Sequence, residues 1–309
     1  MSKRKAYLLF LLATVIWGFA FVAQKAATIL PPFTVCAMRA LIAAVFLIAI
    51  IPIADRLTKN GRKIIKDKRI DINRRELVGG AILGVVLTAS SVLQQAGLSD
   101  TDAGKAAFIT TLYVVFVPLV SAILGKKPGL TVIVSVPISV IGFYFLCIKP
   151  GVGIELSDLM VLSCALVFSF HIIGVDRLSP GCDGIRLSLI QFVVSFILNA
   201  AIGLVLEGVP SPDAMSFALP SLLFLGVGSS GIAYTLQIIG QKHADPNVSS
   251  LILSLESVFA VIGAAMVLGE RMSGREYLGC AIVLIAVLIA QLEPEFVAKF
   301  IKIGDKSKQ

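Results

Sequence analysis

Ten apolar runs, each about as long as a bilayer is thick, dominate this 309-residue sequence and leave little room for any other fold. They span 6–30, 33–53, 77–97, 104–124, 130–148, 159–178, 185–206, 219–240, 247–268 and 275–292. A helix needs about 20 mostly apolar residues to cross the hydrocarbon core, because each residue advances it by only about 1.5 Å. No water reaches the backbone there, so a crossing segment must satisfy its own N–H and C=O groups as a helix. The connectors carry helix breakers: Pro31-Pro32, Gly125 to Gly129 with Pro128, Lys149-Pro150-Gly151, Ser179-Pro180-Gly181 and Asp245-Pro246-Asn247. None is long enough for a separate soluble domain. The expected fold class is an all-α integral membrane protein with ten transmembrane helices.

Composition and charge narrow the classes further. Hydrophobic residues make up 57% and charged residues 15%, against about 25% charged in an average globular domain. Five scattered cysteines (Cys36, Cys147, Cys164, Cys182, Cys280) form no CxxC pair and have no histidine at metal-ligand spacing. The expectation is no disulfide framework, no metal site and no cofactor. The net charge of +8 sits on basic residues that alternate with apolar runs. It forms no stripe with interleaved aromatics, so the partner it implies is a lipid bilayer and not a nucleic acid. Residues 2–5 (SKRK) before an apolar run resemble a signal peptide, but that run exceeds the usual h-region of about 7–15 residues and reads as an uncleaved first helix.

Lys and Arg set the orientation. With the N-terminus inside and ten crossings, 21 basic residues fall on the inner side, nine of them between Arg56 and Arg75, and four (Lys105, Lys149, Arg271, Arg275) on the outer side. Cytoplasmic loops carry the excess of positive charge, so both termini are expected in the cytoplasm of a cell-membrane protein. Lys25 and Arg39 remain inside membrane segments.

The second half repeats the first. Leu83-Gly84-Val85 is answered by Leu225-Gly226-Val227, and the same spacing of 142 sets Gln95 on Gln237. Gly125 with Lys126-Lys127 is answered by Gly269 with Glu270-Arg271, and that spacing of 144 sets Pro150 on Pro294. Trp17 matches Phe168, and Arg39 lies close to Gln191 after a one-residue adjustment. Each unit, 1–150 and 151–309, therefore holds five helices. Five is odd, so the second unit must be inverted in the membrane, an architecture that places a solute site near the midplane. The basic 54–76 loop and its uncharged-by-base counterpart 207–218 agree with the inversion.

Four motifs run in order along the chain: Trp17-Gly18, Arg39-Ala40, Leu112-Tyr113-Val114-Val115-Phe116-Val117-Pro118, and Leu255-Glu256-Ser257-Val258-Phe259-Ala260 leading into Leu268-Gly269-Glu270-Arg271. With them the sequence, from about residue 7 to about 292, resembles the EamA branch of the drug/metabolite transporter superfamily. The resemblance implies ten helices in two five-helix units and transport of small metabolites, often export of amino acids or related compounds. It departs at Lys126, which stands where the second repeat has Glu270.

Polar residues inside the apolar runs need a partner or a cavity. Lys25 and Arg39 either flank an outer vestibule that attracts an anion or snorkel to headgroups. Glu256 is either a coupling or solute-binding carboxylate or a structural hydrogen-bonding acid. His171 falls on the repeat position of Ala20 and is either a proton-coupling group or a satisfied core histidine. Gly84, Thr88, Ser91 and Gln95 form a stripe that Gly226, Ser230, Ala233 and Gln237 repeat, with Tyr234 and Gln241 beside it; Ser188, Gln191, Ser195 and Asn199 form a third. Such stripes either glue helices together or line a cavity. The candidate solute-binding set is Trp17, Arg39, Gln95, Tyr113, Tyr234 and Gln237, with Glu256 and His171 as coupling candidates.

No G-x-x-x-x-G-K-[ST] phosphate loop is present, so transport would draw on a gradient. The function expected is secondary transport of small polar metabolites by alternating access, without catalysis. An integral-membrane enzyme on lipid-linked substrates would show clustered carboxylates or histidines, and only His171 and His243 occur. A channel or scaffold is the third class, which an inverted repeat disfavours.

Overall fold

The computed structural model describes residues 2–57, 72–125, 130–147, 155–244 and 246–290. The loop charges from Lys59 to Arg69, Lys126, Lys127, Lys149, Pro150 and everything from Gln291 onward, Pro294 included, lie outside the described residues. Among the described residues there is no strand.

Helix α1 (Lys3–Ala26) leads through a short 3-10 turn into α2 (Pro32–Leu57), followed by α3 (Arg74–Gly97), α4 (Ala103–Thr110), α5 (Tyr113–Ile123) and α6 (Leu130–Cys147). The second half runs through α7 (Leu156–Leu178), α8 (Gly184–Leu206), α9 (Pro212–Leu223), a π-helical stretch (Phe224–Ala233) and α10 (Tyr234–Gln241). It ends with α11 (Pro246–Ser254), α12 (Glu256–Gly263), a second π-helical stretch (Ala264–Leu268) and α13 (Gly274–Ala290). Seven helical stretches are long and apolar enough to cross a bilayer: 3–29, 32–55, 74–97, 103–123, 156–178, 184–206 and 212–241. The other three predicted runs are also helical, but Ile133–Leu146 and Ile252–Leu268 are shorter apolar helices, and α13 has 17 residues.

Helix ends follow from local chemistry. Asn73 and Glu76 form a reciprocal capping box at the start of α3, with Glu76 N donating to Asn73 Oδ1 at 2.8 Å and Asn73 N to Glu76 Oε2 at 3.1 Å. This satisfies donors that a first turn leaves bare. Asp183 caps α8 by accepting from Ile185 N and Arg186 N. Gly269, at φ +70°, ends the second π-helical stretch in the left-handed region that favours glycine.

Tertiary contacts fix helix directions. Glu207, just past α8, accepts from Phe33 N and Thr34 N at the start of α2, each at 2.8 Å. At the opposite end, Arg186 in the first turn of α8 donates through both guanidinium nitrogens to Asp55 of α2, at 3.1 and 2.7 Å. The two helices therefore run antiparallel with an acid closing each end. Likewise Lys25, near the end of α1, donates to the carbonyls of Leu98, Ser99 and Thr101, and Thr101 donates to Asp158 in the first turn of α7. Helix α7 thus begins at the end where α1 finishes.

Around this frame α6 packs on α13, α3 on α7 and α8, and α1 on α12. The buried centre gathers Phe10, Trp17, Phe21, Leu87, Tyr113, Phe168 and Phe192. Large apolar side chains such as Val45, Val85, Phe170, Ile197, Phe217 and Ile262 lie exposed on the outside. An apolar surface so extensive is suited to hydrocarbon and not to water.

Two helices break in the middle. Between α4 and α5 the chain turns at Thr111-Leu112, and between α11 and α12 at Leu255. Each break tightens the ladder to a three-residue bond, Val114 N to Thr111 O at 3.0 Å and Val258 N to Leu255 O at 3.1 Å.

Candidate functional site

A cavity lies between α1, α2, α3, α7 and α10, and both helix breaks border it. Its polar lining includes Gln24, Arg39, Ser91, Gln94, Thr110, Ser229 and Glu256. Trp17, Phe21, Phe168 and Tyr234 supply the aromatic walls. The cavity has a volume of about 30 Å³, room for two or three waters at about 10–15 Å³ each.

Arg39 reaches the cavity from α2 and is 6% exposed. Its Nε donates to Ser230 Oγ at 3.0 Å, Nη1 to Gln24 Oε1 at 2.9 Å and Nη2 to Ser229 Oγ at 2.9 Å. All three acceptors are neutral, so the guanidinium is hydrogen-bonded but not neutralised. Glu256 is the first residue of α12, where the helix macrodipole favours an acid, and it is 3% exposed. The Tyr113 hydroxyl lies near its carboxyl without reaching hydrogen-bond geometry. Among the described residues neither Arg39 nor Glu256 forms an ion pair.

The aromatics form one contiguous cluster. Trp17 meets Tyr234 edge-on with centroids 4.8 Å apart, and Phe168 at 6.2 Å. Trp17 Nε1 donates to Ser229 O at 3.3 Å. Phe168 also contacts Tyr113, at 5.5 Å.

Of the sequence candidates, Trp17, Arg39, Tyr234 and Glu256 line the cavity, and Tyr113 stands behind it against Phe168 and Glu256. Gln95, Gln237 and His171 are fully buried and are not among the lining residues. Gln95 Nε2 donates to Gln24 O at 3.1 Å, and among the described residues its Oε1 and both polar atoms of Gln237 have no partner. His171 stacks on Phe168 at 5.4 Å and shares a 3.1 Å hydrogen bond with Gln191. Lys25 serves as a cap for the carbonyls that close α3. Glu270 accepts from Ala103 N and Gly104 N and so caps α4.

Sequence reasoning missed Gln24, Gln94 and Thr110. Gln24 shares a helix face with Trp17 and Phe21 at spacings of seven and three, so a reading of the α1 tryptophan face finds it. Gln94 Nε2 donates to Thr110 Oγ1 at 3.3 Å, joining α3 to the break after α4. Among the described residues no group of three or more His, Cys, Asp or Glu is placed to hold a metal ion.

Comparison with known proteins agrees with this picture of a membrane helical bundle. A crystal structure with 18% sequence identity superposes with a TM-score of 0.68, covering 94% of this chain and 97% of the other, which establishes a shared fold. An uncharacterized transporter of Archaeoglobus fulgidus is 29% identical over 283 residues, 91% of this chain and 84% of that protein. The uncharacterized transporter YoaV of Bacillus subtilis is 23% identical over 277 residues, 87% and 91% of the two chains. The EamA-like transporter family matches residues 4–148 and again 155–291, one match on each half. With almost every described helix inside those two matches, the chain belongs to the EamA-like transporter family.

Proposed function

We propose that this chain is a secondary transporter of small zwitterionic metabolites, of the amino-acid kind, built from two inverted five-helix repeats that work by alternating access. The observation that carries the reading is one cation and one acid, Arg39 and Glu256, lining a single cavity with neither ion-paired among the described residues. A guanidinium presents two parallel donors to a carboxylate, and a carboxylate accepts from an ammonium. In a medium of low dielectric both contacts are strong, and a zwitterion satisfies them together. Trp17, Phe168 and Tyr234 then offer apolar wall to the rest of the solute.

The inversion is supported by matched contacts in the two halves. A Cβ added at Gly84 meets Gln191 O at 2.7 Å and Val194 Cβ at 2.8 Å, and one added at Gly226 meets Ile42 Cβ at 2.5 Å and Arg39 O at 3.2 Å. The pairs Gly84 and Gly226, Gln191 and Arg39, and Val194 and Ile42 correspond in the sequence repeat. The helix breaks correspond as well, Thr111 lying 144 residues before Leu255. Interrupted helices at equivalent places in inverted halves are where such transporters bind solute. The excess of inner basic residues supports a cell-membrane location with both termini in the cytoplasm.

Reconstituted protein tests the reading. Proteoliposomes should exchange radiolabelled neutral amino acids saturably, and Arg39→Gln should strongly reduce that exchange at low solute concentration while the variant stays monodisperse and folded. Saturable flux of uncharged or purely anionic solutes with none for zwitterions overturns the substrate class.

A further inference from the structure

Beyond Tyr234, away from the cavity, lies a seam of polar side chains whose hydrogen-bonding capacity is unmet. His171, Ser188, Gln191 and Gln237 are each 0% exposed. His171 Nε2 and Gln191 Oε1 are 3.1 Å apart. Among the described residues His171 Nδ1, Gln191 Nε2, Ser188 Oγ and both polar atoms of Gln237 have no partner. Buried polar groups are nearly always paired in a settled structure, so a set this large points to something that pairs with them.

Its place in the fold is defined by three helices that share one end. Helix α10 runs from Tyr234 to Gln241, and the next residue, Lys242, donates through Nζ to Cys182 O between α7 and α8. Gln237 therefore stands between the cavity and that end. Helix α8 starts there, with Ser188 and Gln191 one and two turns in, and α7 finishes there, with His171 two turns back. The Tyr234 ring touches both His171, at 5.9 Å, and Phe192, at 5.7 Å, and so joins the seam to the cavity.

The repeat says what the seam is for. Its register carries Arg39 onto Gln191 and Ala20 onto His171, and both Arg39 and Ala20 line the present cavity. We infer that His171 and Gln191 form a second polar station, which takes the solute's hydrogen-bonding groups when the protein opens toward the shared end of α7 and α10. This rests on the transporter reading above. In alternating access one repeat rocks against the other, and on this inference the rocking gives His171 and Gln191 the surroundings that their repeat mates Ala20 and Arg39 have now. The exchange is unequal: a guanidinium stands at one station and an uncharged amide with an imidazole at the other. The solute carboxylate is held by charge facing one side and only by neutral donors facing the other, which favours its release at the second station.

Thiol labelling of the full-length protein tests this. In a background with the five native cysteines replaced by alanine, Arg39→Cys, Gln191→Cys, Ser188→Cys and Ile172→Cys are each exposed to a cationic, membrane-impermeant methanethiosulfonate in right-side-out and inside-out vesicles. Arg39→Cys should react from one face. Gln191→Cys and the more conservative Ser188→Cys should react from the other, about tenfold or more faster than the dry-core control Ile172→Cys, as a minor open population allows. Reaction of Arg39→Cys with both seam variants no faster than the control overturns the second station and leaves the transporter reading standing. If Arg39→Cys is also silent in folded protein, the cavity is no solute path and both fall.

Discussion

Lys105 Nζ lies 2.6 Å from Asp158 Oδ2, and both side chains are buried, so the first turn of α4 is bound by charge to the first turn of α7. Thr101 Oγ1 adds a donor to the other carboxylate oxygen at 3.0 Å. A buried pair repays its desolvation only while both members are present.

Removing one member should therefore be worse than removing both. Asp158→Leu removes the carboxylate paired with the buried Lys105 ammonium and should cost about 3–5 kcal/mol. Lys105→Met combined with Asp158→Leu should recover most of that loss. Thermal unfolding in detergent checks it; equal melting points for the single and double variants show that the pair is not coupled.

Lys25 yields a prediction that separates a structural role from a binding one. Its ammonium donates to three carbonyls at the α3–α4 junction, at 2.9, 3.2 and 3.1 Å. Charged hydrogen bonds of this type contribute about 1.5–3 kcal/mol. Lys25→Met should lower the melting temperature with solute affinity unchanged. A raised KM at unaltered melting temperature assigns Lys25 to the solute path instead.

The legible parts of this molecule were the ones that depend on local sequence. Apolar runs located the helices because lipid accepts nothing else. The helix breaks were not legible: Leu112-Tyr113-Val114 and Leu255-Glu256-Ser257 sit within unbroken apolar segments without Gly or Pro at the break. On α3 the sequence pattern points to Gln95, whereas Gln94 is the amide that lines the cavity. That choice depends on how α3 is rotated, which is set by Gly80 and Gly84 pressing on Ile190, Gln191 and Val194 of α8, more than a hundred residues away. Lys105 reads in the sequence as an outer loop charge, whereas its partner Asp158 is reached only through the tertiary fold.

Orientation in the membrane is open to direct test, though Cys182 is a poor reporter of it. That thiol is 7% exposed, and burial together with the nearby Glu76 carboxylate raises its pKa, so silence toward a reagent reflects chemistry as well as side. Exposed positions are better. Ser211 and Pro180 are both exposed at connectors on opposite sides of α8 and its neighbours. In intact cells Ser211→Cys should react with an impermeant maleimide, and Pro180→Cys should react only after permeabilisation. The reverse pattern inverts the assigned topology.

Arg39 and Glu256 allow solute binding and proton coupling to be told apart. If both hold a zwitterion, Arg39→Gln and Glu256→Gln should each weaken binding of a neutral amino acid by about 2 kcal/mol or more, roughly thirtyfold, because each removes a charge-assisted contact in a buried site. Arg39→Lys keeps the charge but loses the two-pronged donor and the spread of bonds to Gln24, Ser229 and Ser230, so it should recover only part of the affinity. A Glu256 that carries only a coupling proton behaves differently: Glu256→Gln then abolishes accumulation driven by a pH gradient while equilibrium binding and passive exchange persist. Isothermal binding measured beside driven and passive flux in the same preparation distinguishes them. Unchanged binding and unchanged driven flux in a well-folded Glu256→Gln variant remove the acid from transport altogether and leave Arg39, among the described residues, as the cavity's charged contact to the solute.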